Sequence, residues 1–191
     1  MKKKLFLTGP DRCGKSDMIR EELGEAVRYA GGFITVRRRD EQGNVLGFDL
    51  TAADGSGGRE PFLDLSGKRP VTRLEVFSQM GTRLLDQAEH RSYAVLDELG
   101  GVELLDASFV RALVRLLQGD TPCLGVLRAE GDAGKAVGGM GLHLRYELAR
   151  RVLLDHLKKD PEVIVLETTG KNDPEARKLV AQWVSEYAKT E

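Results

Sequence analysis

The sequence predicts an α/β fold: a mostly parallel central sheet flanked by helices, with an inserted β-hairpin. Three observations carry this. A glycine-rich phosphate-binding motif stands between an apolar strand and a helical run, further apolar strands alternate with helical stretches, and an acidic pair closes one of those strands. Alternation of this kind builds a parallel sheet covered on both faces. Ligands of such sheets bind beyond the C-terminal strand ends.

The first strand is Lys4-Leu5-Phe6-Leu7-Thr8, and Gly9-Pro10-Asp11-Arg12-Cys13-Gly14-Lys15-Ser16 follows it as G-x-x-x-x-G-K-S. Met18, Ile19, Leu23, Ala26, Val27 and Ala30 then recur at helical spacing. They predict a helix over about 14–30, stopped by Gly31-Gly32. Gly9 and Gly14 let the backbone curl around an anion without Cβ clashes. The loop amides and the helix dipole then point at a β-phosphate. Lys15 would reach the β- and γ-phosphates, and the Ser16 hydroxyl would complete a Mg²⁺ shell. With Asp17 in the first helical turn, residues 9–17 form the candidate nucleotide-contacting set. Cys13 reads as a small loop residue, with a lowered thiol pKa as the alternative.

Residues 33–38 and 45–50 flank the polar turn Asp40-Glu41-Gln42-Gly43-Asn44 and predict a hairpin over about 32–51. The run Arg37-Arg38-Arg39 reads as the solvated end of that hairpin, with a contact to a phosphorylated second substrate as the alternative. Residues 61–65 suggest a short edge strand. Leu74, Phe77, Met80, Leu84, Leu85 and Ala88 make a helical stripe over 73–89. Residues 92–96 form a buried strand that ends in Asp97-Glu98. Asp106-Ala107-Ser108 could cap a helix carrying Phe109, Val110, Leu113, Leu116 and Leu117, closed by Gly119. Residues 123–127 form another buried strand, with Arg128 at its end.

Residues 129–141 are glycine-rich, and Gly131-Asp132-Ala133-Gly134-Lys135 reads as a flexible loop rather than a second phosphate motif. Residues 142–159 look helical, and 129–160 together suggest a lid. Arg145, Arg150 and Arg151 on it read as an exposed charged face, with closure over phosphates as the alternative. Val163-Ile164-Val165-Leu166 is a last strand, and Pro174, after Asp173, opens a closing helix.

The 191 residues suit one domain with a sizeable core. A net charge of −1 offers no basic excess for a nucleic-acid backbone. Cys13 and Cys123 do not suggest a disulfide framework, and His90, His143 and His156 have no cysteine partners at zinc-ligand spacing. The start, Met1-Lys2-Lys3-Lys4, is basic but leads into no long apolar segment, so neither a signal peptide nor a membrane span is predicted. A soluble cytoplasmic protein with a small-molecule nucleotide ligand is the expectation, and no protein partner is inferable.

Asp97-Glu98 at the end of an apolar strand is the Walker B arrangement. Asp97 would hold a Mg²⁺-bound water, and Glu98 would orient or deprotonate an attacking water. Arg128 could stabilise γ-phosphate charge or form a surface ion pair.

The run Tyr93-Ala94-Val95-Leu96-Asp97-Glu98-Leu99-Gly100-Gly101-Val102-Glu103-Leu104 resembles the "DEIGxMEL" signature of the THEP1-type nucleoside-triphosphatases. Gly32-Phe33, Gly47-Phe48 and the helix before the Walker B strand resemble that family as well, and the likeness covers residues 1 to about 128. It implies a P-loop NTPase fold related to RecA-like ATPases, and hydrolysis of ATP, GTP and other nucleoside triphosphates. By position it matches Lys15 and Ser16 to phosphate and Mg²⁺, Asp97 to the metal-bound water, and Glu98 to water activation. Glu103 matches the Glu of "MEL", to which no role is attached. Val102 stands where the family has Met, and the family's "TxxNR" stretch near the base appears as Thr169-Gly170-Lys171-Asn172-Asp173, without the Arg.

A Mg²⁺-dependent NTPase is therefore the first expectation. The same cradle could instead serve a nucleotide or nucleoside kinase. A nucleotide-dependent switch is a third reading, through the D-x-x-G of residues 97–100, although no N-K-x-D motif accompanies it.

Overall fold

The computed structural model describes residues 1–129 and 140–188. One eight-stranded sheet runs through the molecule. In chain order its strands are β1 (Lys4–Thr8), β2 (Gly31–Arg39), β3 (Val45–Ala52), β4 (Glu60–Asp64), β5 (Val71–Thr72), β6 (Ala94–Leu99), β7 (Cys123–Leu127) and β8 (Val163–Glu167). Their spatial order is β5-β4-β3-β2-β6-β7-β1-β8. Across the sheet from β2 to β8 every pairing is parallel, whereas β2–β3, β3–β4 and β4–β5 are antiparallel. The strand that precedes the phosphate loop, β1, is thus separated from the acidic strand, β6, by β7.

The hairpin forms where the two β-rich runs around the polar turn predict it, and β4 and β5 extend it along the sheet edge. Its first strand also belongs to the parallel sheet, because Gly31, Gly32 and Phe33 pair with Ala94, Val95 and Leu96. Here the reading of Gly31-Gly32 as a helix stop is corrected. Gly32 has φ +86°, and a Cβ on it would stand 2.2 Å from the Val95 carbonyl oxygen. Close strand approach, not helix termination, requires this glycine.

Helix α1 (Lys15–Leu23) is shorter than its pattern suggests. Gly24, at φ +51°, breaks the α-helical course, and residues 24–29 continue as 3₁₀ turns. The stripe over 73–89 becomes a π-turn at Phe77–Gly81 followed by α2 (Thr82–Ala88). Helix α3 (Ala107–Gln118) starts where the cap predicts, with Asp106 Oδ1 accepting from the Phe109 amide at 2.8 Å. Helix α4 spans Met140–Lys159 and α5 spans Pro174–Tyr187, the latter capped by Asp173 with Pro174 in its first turn.

Alternation along the strands divides the core into two layers. Phe6 and Val165 face α2, α3 and α4, while Leu5, Leu7, Ile164 and Leu166 face α1 and α5. In the first layer Phe109 stands edge-on to both Phe33 and Phe77, with centroids 5.6 Å apart in each pair. Replacing Asp106 by Ala removes the cap that seats Phe109. The expected cost is about 1 kcal/mol, read as a lower urea midpoint with an unchanged slope.

Helix α4 reaches the same layer through Tyr146 and Leu157, both 1 % exposed. At Tyr146, Arg150 and Leu157 the helix is seated on the body, where the sequence suggests part of a lid over 129–160. The remainder of that expectation, including the loop at Gly131–Lys135, lies outside the described residues. No helix among the described residues is long and apolar enough to cross a membrane.

Candidate active site

The phosphate loop is a backbone structure, and its shape is set from behind. Gly9 has φ +137°, and a Cβ there would lie 2.1 Å from the Thr168 carbonyl oxygen. Gly14, at φ +88°, faces the Lys171 side chain, while Gly170, at φ +140°, faces the Cys13 carbonyl. The Lys171 amide donates to the Cys13 carbonyl oxygen at 2.8 Å. The segment after β8 thus buttresses both ends of the loop. Asp173 secures that segment, accepting from the Thr168 hydroxyl at 3.0 Å and from the Thr169, Glu175 and Ala176 amides at 3.1 Å. These bonds to its charged form hold the Asp173 carboxyl down at about 2.

Gly14 is the N-cap of α1 and supplies no side-chain cap. The amides of the first helical turn have no partner within a helix and carry its positive dipole end. Buried Lys15 turns its ammonium into the loop, donating to the carbonyl oxygens of Gly9 at 2.9 Å and Pro10 at 2.6 Å. Its nitrogen also lies 3.5 Å from Cys13 Sγ. Asp11 and Arg12 line the cleft beside the loop, and Arg12 has φ +58°. Asp17 turns outward, where its carboxylate pairs with Arg20 at 3.3 Å.

Across the loop stands the end of β6. Ser16 Oγ donates to Asp97 Oδ1 at 2.6 Å, so the two expected metal-side residues meet. Asp97 is 6 % exposed. Burial, then the neighbouring Glu98 charge, push its carboxyl up to about 7. A buried carboxylate oxygen beside a hydroxyl is a hard-oxygen donor pair, and it suits Mg²⁺. Among the described residues no cluster of three or more metal-ligating side chains exists.

Glu98 has φ +62°, and the register between β6 and β7 shifts between Leu96 and Leu99. For a glutamate this is a strained backbone, of the kind that clusters at functional sites. The kink delivers the carboxylate into the cleft. There Glu98 Oε2 accepts from Arg128 Nη2 at 3.2 Å, and Oε1 lies 3.7 Å from Arg37 Nη2. Of the two readings of Arg128, an ion pair is what the structure contains, but it is inside the site.

Several site residues carried little sequence signal. Glu103, the Glu of the "MEL" match, is buried and accepts from the amides of Gly100 at 2.6 Å and Gly101 at 2.7 Å. It thereby fixes the turn that follows Glu98. Burial raises its carboxyl pKa, against the opposing pull of Arg128. Arg150 is buried as well, with Nη1 3.5 Å from the Arg128 carbonyl oxygen, while Arg145 and Arg151 are exposed. Gly170 could have been suspected, since it follows a strand end where sheets of this type bind ligands. The arginine run splits three ways. Arg37 enters the cleft, Arg38 forms an ion pair with buried Asp49 at 2.8 Å, and Arg39 alone is exposed, donating to the Gly43 carbonyl.

A mostly parallel sheet covered by helices, with a glycine-rich loop between β1 and α1 and an acidic strand end beside it, is an α/β fold of the P-loop NTPase kind. A family model described as NTPase matches residues 4–138. The chain belongs to that NTPase family and is of the THEP1 type. A mouse protein named cancer-related nucleoside-triphosphatase homolog is 31% identical over 136 residues, covering 61% of this chain and 70% of that protein. The nucleoside-triphosphatase THEP1 of Methanosarcina acetivorans is 29% identical over 131 residues, covering 65% of this chain and 75% of its own. The crystal structure of THEP1 from Aquifex aeolicus shares the fold, with a TM-score of 0.60 at 19% identity over 97% of this chain and 99% of that one.

Proposed function

We propose that this chain hydrolyses ATP, GTP and other nucleoside triphosphates to the diphosphate and phosphate, with Mg²⁺ as cofactor. The observation that carries the reading is the opposition of loop and strand end. Ser16 and Asp97 meet at 2.6 Å on one side, and Glu98 projects into the cleft that Lys15 and Arg128 also line.

The loop amides and Lys15 bind the β- and γ-phosphates, and Lys15 exchanges its two loop carbonyls for phosphate oxygens. Ser16 and Asp97 would hold Mg²⁺, which neutralises charge on the β- and γ-phosphate oxygens when bound. Glu98 accepts a hydrogen bond from water and aligns it for in-line attack on the γ-phosphorus. The bond from phosphorus to the β–γ bridging oxygen breaks as the new one forms. The water proton passes toward Glu98, and the diphosphate leaves. Arg128 lies beside that carboxylate and can meet the charge growing on the γ-phosphate oxygens. Glu103 acts one step back, by holding the 100–101 turn.

The test is phosphate release from ATP, GTP, CTP and UTP, with Mg²⁺ and with chelator, on wild type and Lys15→Ala. Release from several nucleotides that disappears with chelator and in the variant is expected. Nucleotide binding without any release would overturn hydrolysis, and added phosphate acceptors would then test the kinase alternative.

A further inference from the structure

The second arginine on Glu98 has no place in the mechanism above. Arg37 and Phe48 are directly paired across β2 and β3, and the guanidinium carbon sits 5.9 Å from the Phe48 ring centroid. Phe48 in turn packs against Phe62, with centroids 6.3 Å apart. The hairpin therefore aims Arg37, whose side chain is 29 % exposed. Its Nη2 lies 3.8 Å from Asp11 Oδ1 in the phosphate loop and 3.7 Å from Glu98 Oε1. Both distances are charge contacts longer than a hydrogen bond. Arg37 stands between two carboxylates and is bonded closely to neither.

The charge around the cleft is uneven. Its charged lining residues are Arg12, Lys15, Arg37 and Arg128 against Asp11 and Glu98. That surplus suits a further anionic group beyond what the loop amides hold. A phosphate presents oxygens that match the guanidinium fork, and such pairs are stronger than a loose carboxylate contact.

We propose that Arg37 is a specificity-determining residue that reads the γ-phosphate: its guanidinium leaves Glu98 for the terminal phosphate of a triphosphate and has no such partner in a diphosphate. This rests on the reading that the γ-phosphate lies between Lys15 and Glu98. The exchange does two things at once. It favours substrate over product, and it frees Glu98 Oε1 to accept a hydrogen bond from water.

Binding separates this from a merely structural role. Affinities for a non-hydrolysable ATP analogue and for ADP, both with Mg²⁺, are measured on wild type, Arg37→Ala and Arg37→Gln. Gln keeps part of the aliphatic stem and guards against a folding defect. In both variants the triphosphate affinity is expected to fall about tenfold or more, with ADP affinity unchanged. Arg37→Lys should restore only part of the loss, since an ammonium cannot form the fork. Equal weakening toward both nucleotides would show that Arg37 only pins the hairpin to the loop, and would overturn the proposal. Unchanged affinity for both would overturn it as well. None of these readouts needs turnover, so they are distinguishable from a failure of the hydrolysis reading, which phosphate release reports.

Discussion

Replacing Glu98 by Gln is expected to slow phosphate release about 10²–10⁴-fold while nucleotide affinity is kept. Glutamine has nearly the same shape and can still accept a hydrogen bond from water. It cannot take a proton, and its carbonyl is a weaker acceptor than a carboxylate. In the proposed mechanism binding rests on groups the substitution leaves in place, namely the loop amides, Lys15, and the Ser16–Asp97 pair. The exchange also removes the negative charge that holds Arg128 at 3.2 Å, which frees a cation beside the phosphates and should not weaken binding. Single-turnover release with a parallel affinity measurement checks both halves. A variant that hydrolyses at the wild-type rate would remove Glu98 from the reaction.

The second large effect is structural. Gly9→Ala is expected to cost about 3 kcal/mol or more and to abolish nucleotide binding. The added Cβ would stand 2.1 Å from the Thr168 carbonyl oxygen and 3.2 Å from its carbon, at φ +137°. Both obstacles are backbone, so no side-chain rotation relieves them. Moving Thr168 away would also break the bond from its amide to the Thr8 carbonyl oxygen, 2.8 Å long. Gly57→Ala is the control, because Gly57 has φ +77° and a Cβ added there would meet nothing within 4 Å. It reports the cost of a left-handed backbone alone, about 1–2 kcal/mol. Thermal midpoints of the two variants separate clash from strain, and equal shifts would refute the buttress.

Local chemistry was legible in the sequence. The strand before Gly9, the helix after Gly14, the helix starts near Asp106 and at Pro174 and the strand ending at Asp97-Glu98 all depend on neighbours in the chain. What depends on distant partners was not. Three consecutive arginines read as a solvated charge run, yet strand alternation sends Arg37 and Arg38 to different surroundings, and only the fold shows what waits there. Gly31-Gly32 carries a helix-stop signal, but the nearby carbonyl of Val95 belongs to another strand. Arg150 sits on a helix of weak amphipathicity, and its burial follows from how α4 packs beside Gly100. Glu103 was picked out by resemblance alone, since its partners are backbone amides, which have no signature of their own.

The buttress behind the phosphate loop bears on how the chain acquires its site. The loop lies at residues 9–16, but the backbone that shapes it lies at 168–171, beyond the 4–138 match to the family model. During synthesis the motif emerges well before its support. Contacts so far apart in sequence form slowly, because the intervening chain must be ordered to close them. Strand β8 must dock beside β1 before Thr168, Gly170 and Lys171 can press on Gly9, Cys13 and Gly14. The phosphate loop is thus completed by a segment made long after it, and nucleotide affinity becomes a signal that β8 has docked beside β1.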